Sequence, residues 1–84
     1  MGRFYVYLLE CSDGSLYAGW TTDPGRRLEE HNSGSGAKYT RGRRPARMVY
    51  VQRVPSRSAA LRKELEIKSM DRRTKLALIR SRTA

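Results

Sequence analysis

Apolar residues fall in short blocks along the 84-residue chain, separated by turn formers. The block FYVYLLE, Phe4 to Glu10, is dense in β-formers and predicts a strand with little solvated face. The turn Ser12-Asp13-Gly14-Ser15 follows, and Asp-Gly between two apolar runs signals a hairpin returning along Leu16 to Thr21. A turn centred on Asp13-Gly14 pairs residues whose numbers sum to about 27. That sets Tyr7 across from Trp20, Tyr17 near Glu10 and Gly19 near Leu8. Asp23 as N-cap and Pro24 as first helical residue predict a helix to about Asn32. Ser33 to Pro45 (SGSGAKYTRGRRP), rich in glycine and basic residues, reads as a mobile loop. Met48 to Val54 predicts a third strand. Ser56 caps a helix over Arg57 to about Met70, and Asp71 caps a last one whose apolar face holds Leu76, Ala77 and Ile79. The order ββαβαα predicts an α+β domain spanning 1–84, a small three-stranded antiparallel sheet flanked by helices.

Several polar residues interrupt this pattern. In the helix after Ser56, spacing puts Ala60, Leu61, Leu65 and Ile67 on the inward face, and Glu64 falls on the same stripe. A carboxylate aimed at a core needs a metal ion or an arginine; at the stripe's edge it pairs with Lys68 at i+4. Glu66 falls on the solvated face. In the first helix Leu28 is the one large apolar residue and faces the sheet. Arg27 and His31 flank it, either as solvated edge residues or as groups leaning into one region. Glu29 and Glu30 point away, and Arg26 pairs with Glu30. In the hairpin, Tyr5 and Tyr7 share one face by the period of two. Gly19 removes a side chain from mid-strand, which marks a close backbone approach or a passing ligand.

Charge narrows the function. Eighteen basic residues, fourteen of them arginine, face eight acidic ones, for a net charge of +10 and a pI near 10.7. An excess of this size favours a polyanion, foremost nucleic acid. Lys38, Arg41, Arg43, Arg44 and Arg47 surround Tyr39 within ten residues: cations for phosphates and an aromatic to stack on a base. The alternative for this run is a solvated loop. Cys11 and His31 are the only cysteine and histidine, which excludes internal disulfides, thiolate zinc clusters and multi-imidazole zinc sites. A lone thiol, the absence of a membrane-length apolar run and a start unlike a signal peptide place the chain in the cytoplasm.

In this order the pieces resemble a GIY-YIG nuclease domain, in particular the small stand-alone bacterial proteins, from about Phe4 to Ile79. Tyr5-Val6-Tyr7 stands where the first motif falls and Tyr17-Ala18-Gly19 where the second does. Asp23 to Asn32 is similar to the helix bearing the family's arginine, which falls on Arg27, with His31 one turn later. HNSGSGAKYTRGRRP is typical of the stand-alone group, and ALRKELEIK places the family's metal-binding glutamate on Glu64. The resemblance implies a divalent-metal-dependent endonuclease acting on DNA, on branched, nicked or single-stranded forms tied to repair or recombination. Glu64 holds Mg²⁺ (or Mn²⁺), Arg27 opposes charge on the scissile phosphate, and Tyr7, Tyr17 or His31 is the base; the sequence does not choose among the three. The motif departures, with Tyr5 for glycine and no asparagine after Asn32, keep a second function open. That second function is a module that binds DNA or RNA and cuts little.

Overall fold

The computed structural model describes residues 2–83. Strands β1 (Phe4–Glu10) and β2 (Leu16–Thr21) form the expected hairpin, but in a different register. The Cys11 amide donates to the Ser15 carbonyl (2.9 Å), the Gly14 amide to the Cys11 carbonyl (2.9 Å), and Gly14 has φ +83°. The loop is therefore the three residues Ser12-Asp13-Gly14, closed by a left-handed glycine. Paired numbers sum to 26, so Tyr7 faces Gly19 and Leu9 faces Tyr17. The one-residue error in the expected pairing came from reading the turn as a two-residue loop.

Helix α1 (Pro24–Ser33) starts where expected, with the Asp23 side chain accepting from the Arg26 amide, and ends on Gly34 at φ +91°. The segment read as a mobile loop holds a turn of helix, α2 (Lys38–Arg41), whose Thr40 is fully buried. Strand β3 (Arg47–Val54) pairs antiparallel with β1, giving the order β2-β1-β3. Helices α3 (Arg57–Lys68) and α4 (Arg72–Thr83) follow caps at Ser56 and Asp71. The fold is α+β with a three-stranded antiparallel sheet, as expected, plus the extra turn α2.

The strand period sorts the core into two layers. Val6, Leu8, Ala18, Tyr50 and Val54 pack against Ala60 and Ile67 of α3, with Leu78 and Ile79 of α4 alongside. Tyr7, Leu9, Cys11 and Ala46 face the other way, against Leu28 of α1, Tyr17, Met48 and Val51. Leu61 and Leu65, assigned to the inward face of α3 by spacing, are exposed (40% and 65%). Small Ala60 lets the backbone of α3 come close to the sheet, so Ala60 and Ile67 carry the buried face and the two leucines turn outward. Among the described residues no helix is long and apolar enough to cross a membrane.

Candidate active site

The site grows from the α1 side of the sheet. Tyr7 rises from the central strand, and its ring crosses the backbone of Gly19 on β2. A Cβ at Gly19 would stand 2.5 Å from the Tyr7 hydroxyl oxygen and 2.6 Å from Cζ. The missing side chain therefore makes room for a phenol of this same chain, where the sequence suggested a backbone or a ligand. Over that ring, α1 sets His31, which is not a solvated edge residue: it is fully buried. Its Nε2 lies 3.0 Å from the Tyr7 hydroxyl and its Nδ1 lies 2.7 Å from Thr40 Oγ1. No buried polar side-chain atom among the described residues lacks a partner.

Arg27, one turn before His31, is about one-third exposed. Its Nη1 donates to Glu30 Oε1 at 2.9 Å, and its charge is felt at the Tyr7 phenol. Glu30, read from the sequence as pointing away and pairing with Arg26, pairs more closely with Arg27; the Arg26 contact is 3.9 Å. Burial pushes the Tyr7 phenol above its usual range, against an opposing pull from Arg27. Burial also raises Tyr17, again opposed by Arg27. Burial and the Arg27 charge hold His31 below its ordinary 6.5, so the imidazole is neutral at pH 7.

Glu64 stands on α3, which packs over β1 and the edge strand β2. Its charge is felt at both the Tyr7 and Tyr17 phenols, raising each. Its side chain is 16% exposed, and Lys68 Nζ stands 3.8 Å away, at the outer limit of an ion pair. Among the described residues no three His, Cys, Asp or Glu side chains gather into a cage for a metal ion. One loosely paired carboxylate fits a hard, hydrated ion such as Mg²⁺, which keeps several waters and takes one or two carboxylates.

The basic segment is more structural than its composition suggests. The Tyr39 ring stacks on Tyr17 (centroids 5.6 Å, 24° between planes), while the Arg43 guanidinium sits 4.1 Å from the Tyr39 centroid. The ring expected to stack on a base packs against Tyr17 and Arg43 while 40% of the residue stays exposed. Arg43 is further tied to Asp13 Oδ2 (3.1 Å) and to the Tyr39 carbonyl (2.7 Å). Arg44 donates to the Arg41 and Asn32 carbonyls, and Arg47 pairs with Glu10 at 2.7 Å. Lys38 and Arg41 are exposed and make no side-chain hydrogen bond or ion pair among the described residues. Asn32, Arg41, Gly42, Arg44 and Pro45 line an open groove of about 480 Å³. Asn32 anchors the segment by bonding both the amide (2.7 Å) and carbonyl (2.9 Å) of Ala46.

The structure thus brings Tyr7, Tyr17, Arg27 and His31 into one cluster with Glu64 at its border. Sequence reasoning missed Thr40, hidden among loop residues, and Gly36, where a Cβ would meet His31 Nδ1 at 2.6 Å. No periodic signal marks either position.

The GIY-YIG catalytic domain family matches residues 3–77. A UPF0213 protein of Syntrophus aciditrophicus is 53% identical over 81 residues, covering 95% of this chain and 93% of the relative. A UPF0213 protein of Staphylococcus aureus is 49% identical over 82 residues, covering 98% and 100%. Among solved structures, the UPF0213 protein BH0048 of Bacillus halodurans has a TM-score of 0.60 at 53% identity, covering 92% of this chain and 82% of that one. The protein EF2693 of E. faecalis has a TM-score of 0.65 at 42% identity, covering 96% and 86%. By motif order, fold and match across nearly its whole length, the chain belongs to the GIY-YIG family of nuclease domains.

Proposed function

We propose that this chain is a metal-dependent endonuclease that hydrolyses phosphodiester bonds in DNA. The observation that carries the proposal is the buried Tyr7–His31 hydrogen bond set beside Arg27, with Glu64 at its border. Hydrolysis needs a water relieved of its proton and a counter to the charge gathering on the phosphate. Tyr7 is the base in this reading. Its raised pKa forbids a standing phenolate, but a relay does not require one: as the water oxygen bonds phosphorus, its proton passes to the Tyr7 oxygen while the Tyr7 proton moves to His31 Nε2, the opposite P–O bond breaks, and the leaving sugar oxygen takes a proton from solvent. The neutral imidazole is the acceptor and becomes the imidazolium. His31 is fully buried with both nitrogens bonded, which keeps it from direct contact with water, while its neutral state leaves it able to accept. Tyr17, stacked on Tyr39, walls the site. Arg27 faces the scissile phosphate. Glu64 would hold Mg²⁺ or Mn²⁺, which stabilises oxyanion charge when bound.

Lys38 and Arg41, on the basic segment, grip the phosphodiester backbone, and so read shape more than sequence. A plasmid-nicking assay with Mg²⁺ or Mn²⁺ tests the reading. Nicking by wild type, lost in Glu64→Ala and in Arg27→Ala with binding largely retained, is expected. Equal nicking by wild type and both variants refutes it. The +10 charge favours a second reading, a non-cleaving module for DNA or RNA, if no member of a branched, nicked and single-stranded panel is cut.

A further inference from the structure

We infer that Thr40 is a positioning residue that fixes the tautomer of His31, and through it the direction of proton flow from Tyr7; the catalytic part of this inference rests on the nuclease reading above. A threonine hydroxyl has one proton to give. Thr40 Oγ1 lies 3.0 Å from the Ala37 carbonyl, which has no proton, so the hydroxyl donates there. Its remaining contact, His31 Nδ1 at 2.7 Å, must then be one it accepts. Nδ1 therefore carries the imidazole proton, and Nε2 is bare where it meets the Tyr7 hydroxyl at 3.0 Å.

With Nε2 bare, the Tyr7 hydroxyl is the donor across the 3.0 Å contact and points its hydrogen at His31. A ring turned over would place carbons where Nδ1 and Nε2 now bond, forfeiting the contacts to both Thr40 and Tyr7 in a fully buried site. With the opposite tautomer, Nε2 would carry a hydrogen facing Tyr7 and could accept nothing. The α2 turn, read from the sequence only as part of a cationic arm, thereby sets the polarity of the relay.

The test reads the tautomer directly. Two-bond ¹H–¹⁵N correlations of the His31 ring are recorded at pH 7.5 for wild type, Thr40→Ser and Thr40→Val, with nicking rates beside them. Wild type and Thr40→Ser are expected to show protonated Nδ1 and bare Nε2. Thr40→Val, which keeps the shape and loses the acceptor, is expected to populate Nε2–H and to nick on the order of 10²-fold more slowly in kcat with little change in KM. Protonated Nε2 in wild type overturns the inference without recourse to any variant. So does a Thr40→Val protein that keeps the Nδ1–H form, or a Thr40→Ser protein as slow as Thr40→Val. If wild type shows the Nδ1–H form, Thr40→Val loses it and no protein cuts any substrate, the tautomer assignment stands and the nuclease reading falls.

Discussion

Gly19→Ala tests whether the site depends on the crossing of Tyr7 over β2. The added Cβ would lie 2.5 Å from the phenol oxygen, 2.6 Å from Cζ and 3.2 Å from Cε1. Ordinary contact begins near 3.4 Å, so the ring must retreat by roughly 1 Å. A surface tyrosine would swing aside at little cost. Tyr7 is 1% exposed and held by His31, so the movement overpacks the core and pulls the phenol from Nε2. Overpacking costs about 1–3 kcal/mol, and a buried polar group left unsatisfied about 1–3 kcal/mol more. For a domain of this size the sum, about 2–6 kcal/mol, lowers Tm by roughly 10 °C or more. Nicking falls on the order of 10²-fold even at temperatures where the variant remains folded. Gly42→Ala is the control, because a Cβ there meets nothing within 4 Å and φ is negative. Thermal unfolding and nicking are measured on all three proteins. A Gly19→Ala variant matching wild type in both Tm and rate refutes the crossing as a constraint.

Other expectations follow from the same geometry. The folded-state pKa of His31 is depressed, mainly by burial, so below about pH 6.5 the unfolded chain takes a proton that the folded chain refuses. Stability is full above pH 6.5 and falls as pH drops toward the folded pKa, by at most about 1.4 kcal/mol per pH unit from this group. Urea midpoints at pH 7.5 and 5.5 check the sign, and an unchanged midpoint contradicts a buried neutral imidazole. Lys38→Ala and Arg41→Ala are each expected to lower the salt slope of duplex binding by about 0.9 with little change in Tm. Arg43→Ala, which releases Asp13 and Tyr39, is expected to lower Tm and nicking more than the salt slope. Titrations across 50–200 mM salt, with melting curves, separate the two kinds of arginine. Equal salt-slope losses from Arg41→Ala and Arg43→Ala would remove the distinction.

Local signals carried most of the fold, while the candidate site residues rested on the family resemblance. Asp23-Pro24, Ser56 and Asp71 start helices because each cap satisfies amide donors within its own first turn, a demand fully contained in the sequence. Arg27, His31 and Glu64 sat beside or on apolar stripes, and the family resemblance then assigned them, with Tyr7 and Tyr17, to the site. What failed was long-range or one residue fine. The hairpin loop proved three residues long, because Gly14 takes the left-handed position that closes a bulge. Leu61 and Leu65 have the spacing of a core face, yet alanine at position 60 decides which side of α3 approaches the sheet. Tyr39 and Thr40 have composition typical of a binding loop. Their engagement with Tyr17 and His31 arises from contacts across 22 and 9 residues, which no window along the chain reports.

The buried polar cluster also bears on whether the domain cuts or merely binds. The α1-side core contains Tyr7, His31 and Thr40, which rank among the largest fully buried side chains. Each hydrogen bond among them adds little net stability, because the same groups bond to water in the unfolded chain. Apolar residues of equal volume would fill the space as well or better, and a domain of this size has little stability to spare. Nucleic-acid binding draws on exposed cations such as Lys38 and Arg41, which need no buried imidazole behind them. A hydrogen-bonded phenol backed by a neutral imidazole, beside an arginine and a loosely paired carboxylate, gives its cost a purpose when a proton must leave an attacking water. The cluster therefore argues for hydrolysis on grounds separate from the family match, through the chemistry of the groups this small core chose to bury.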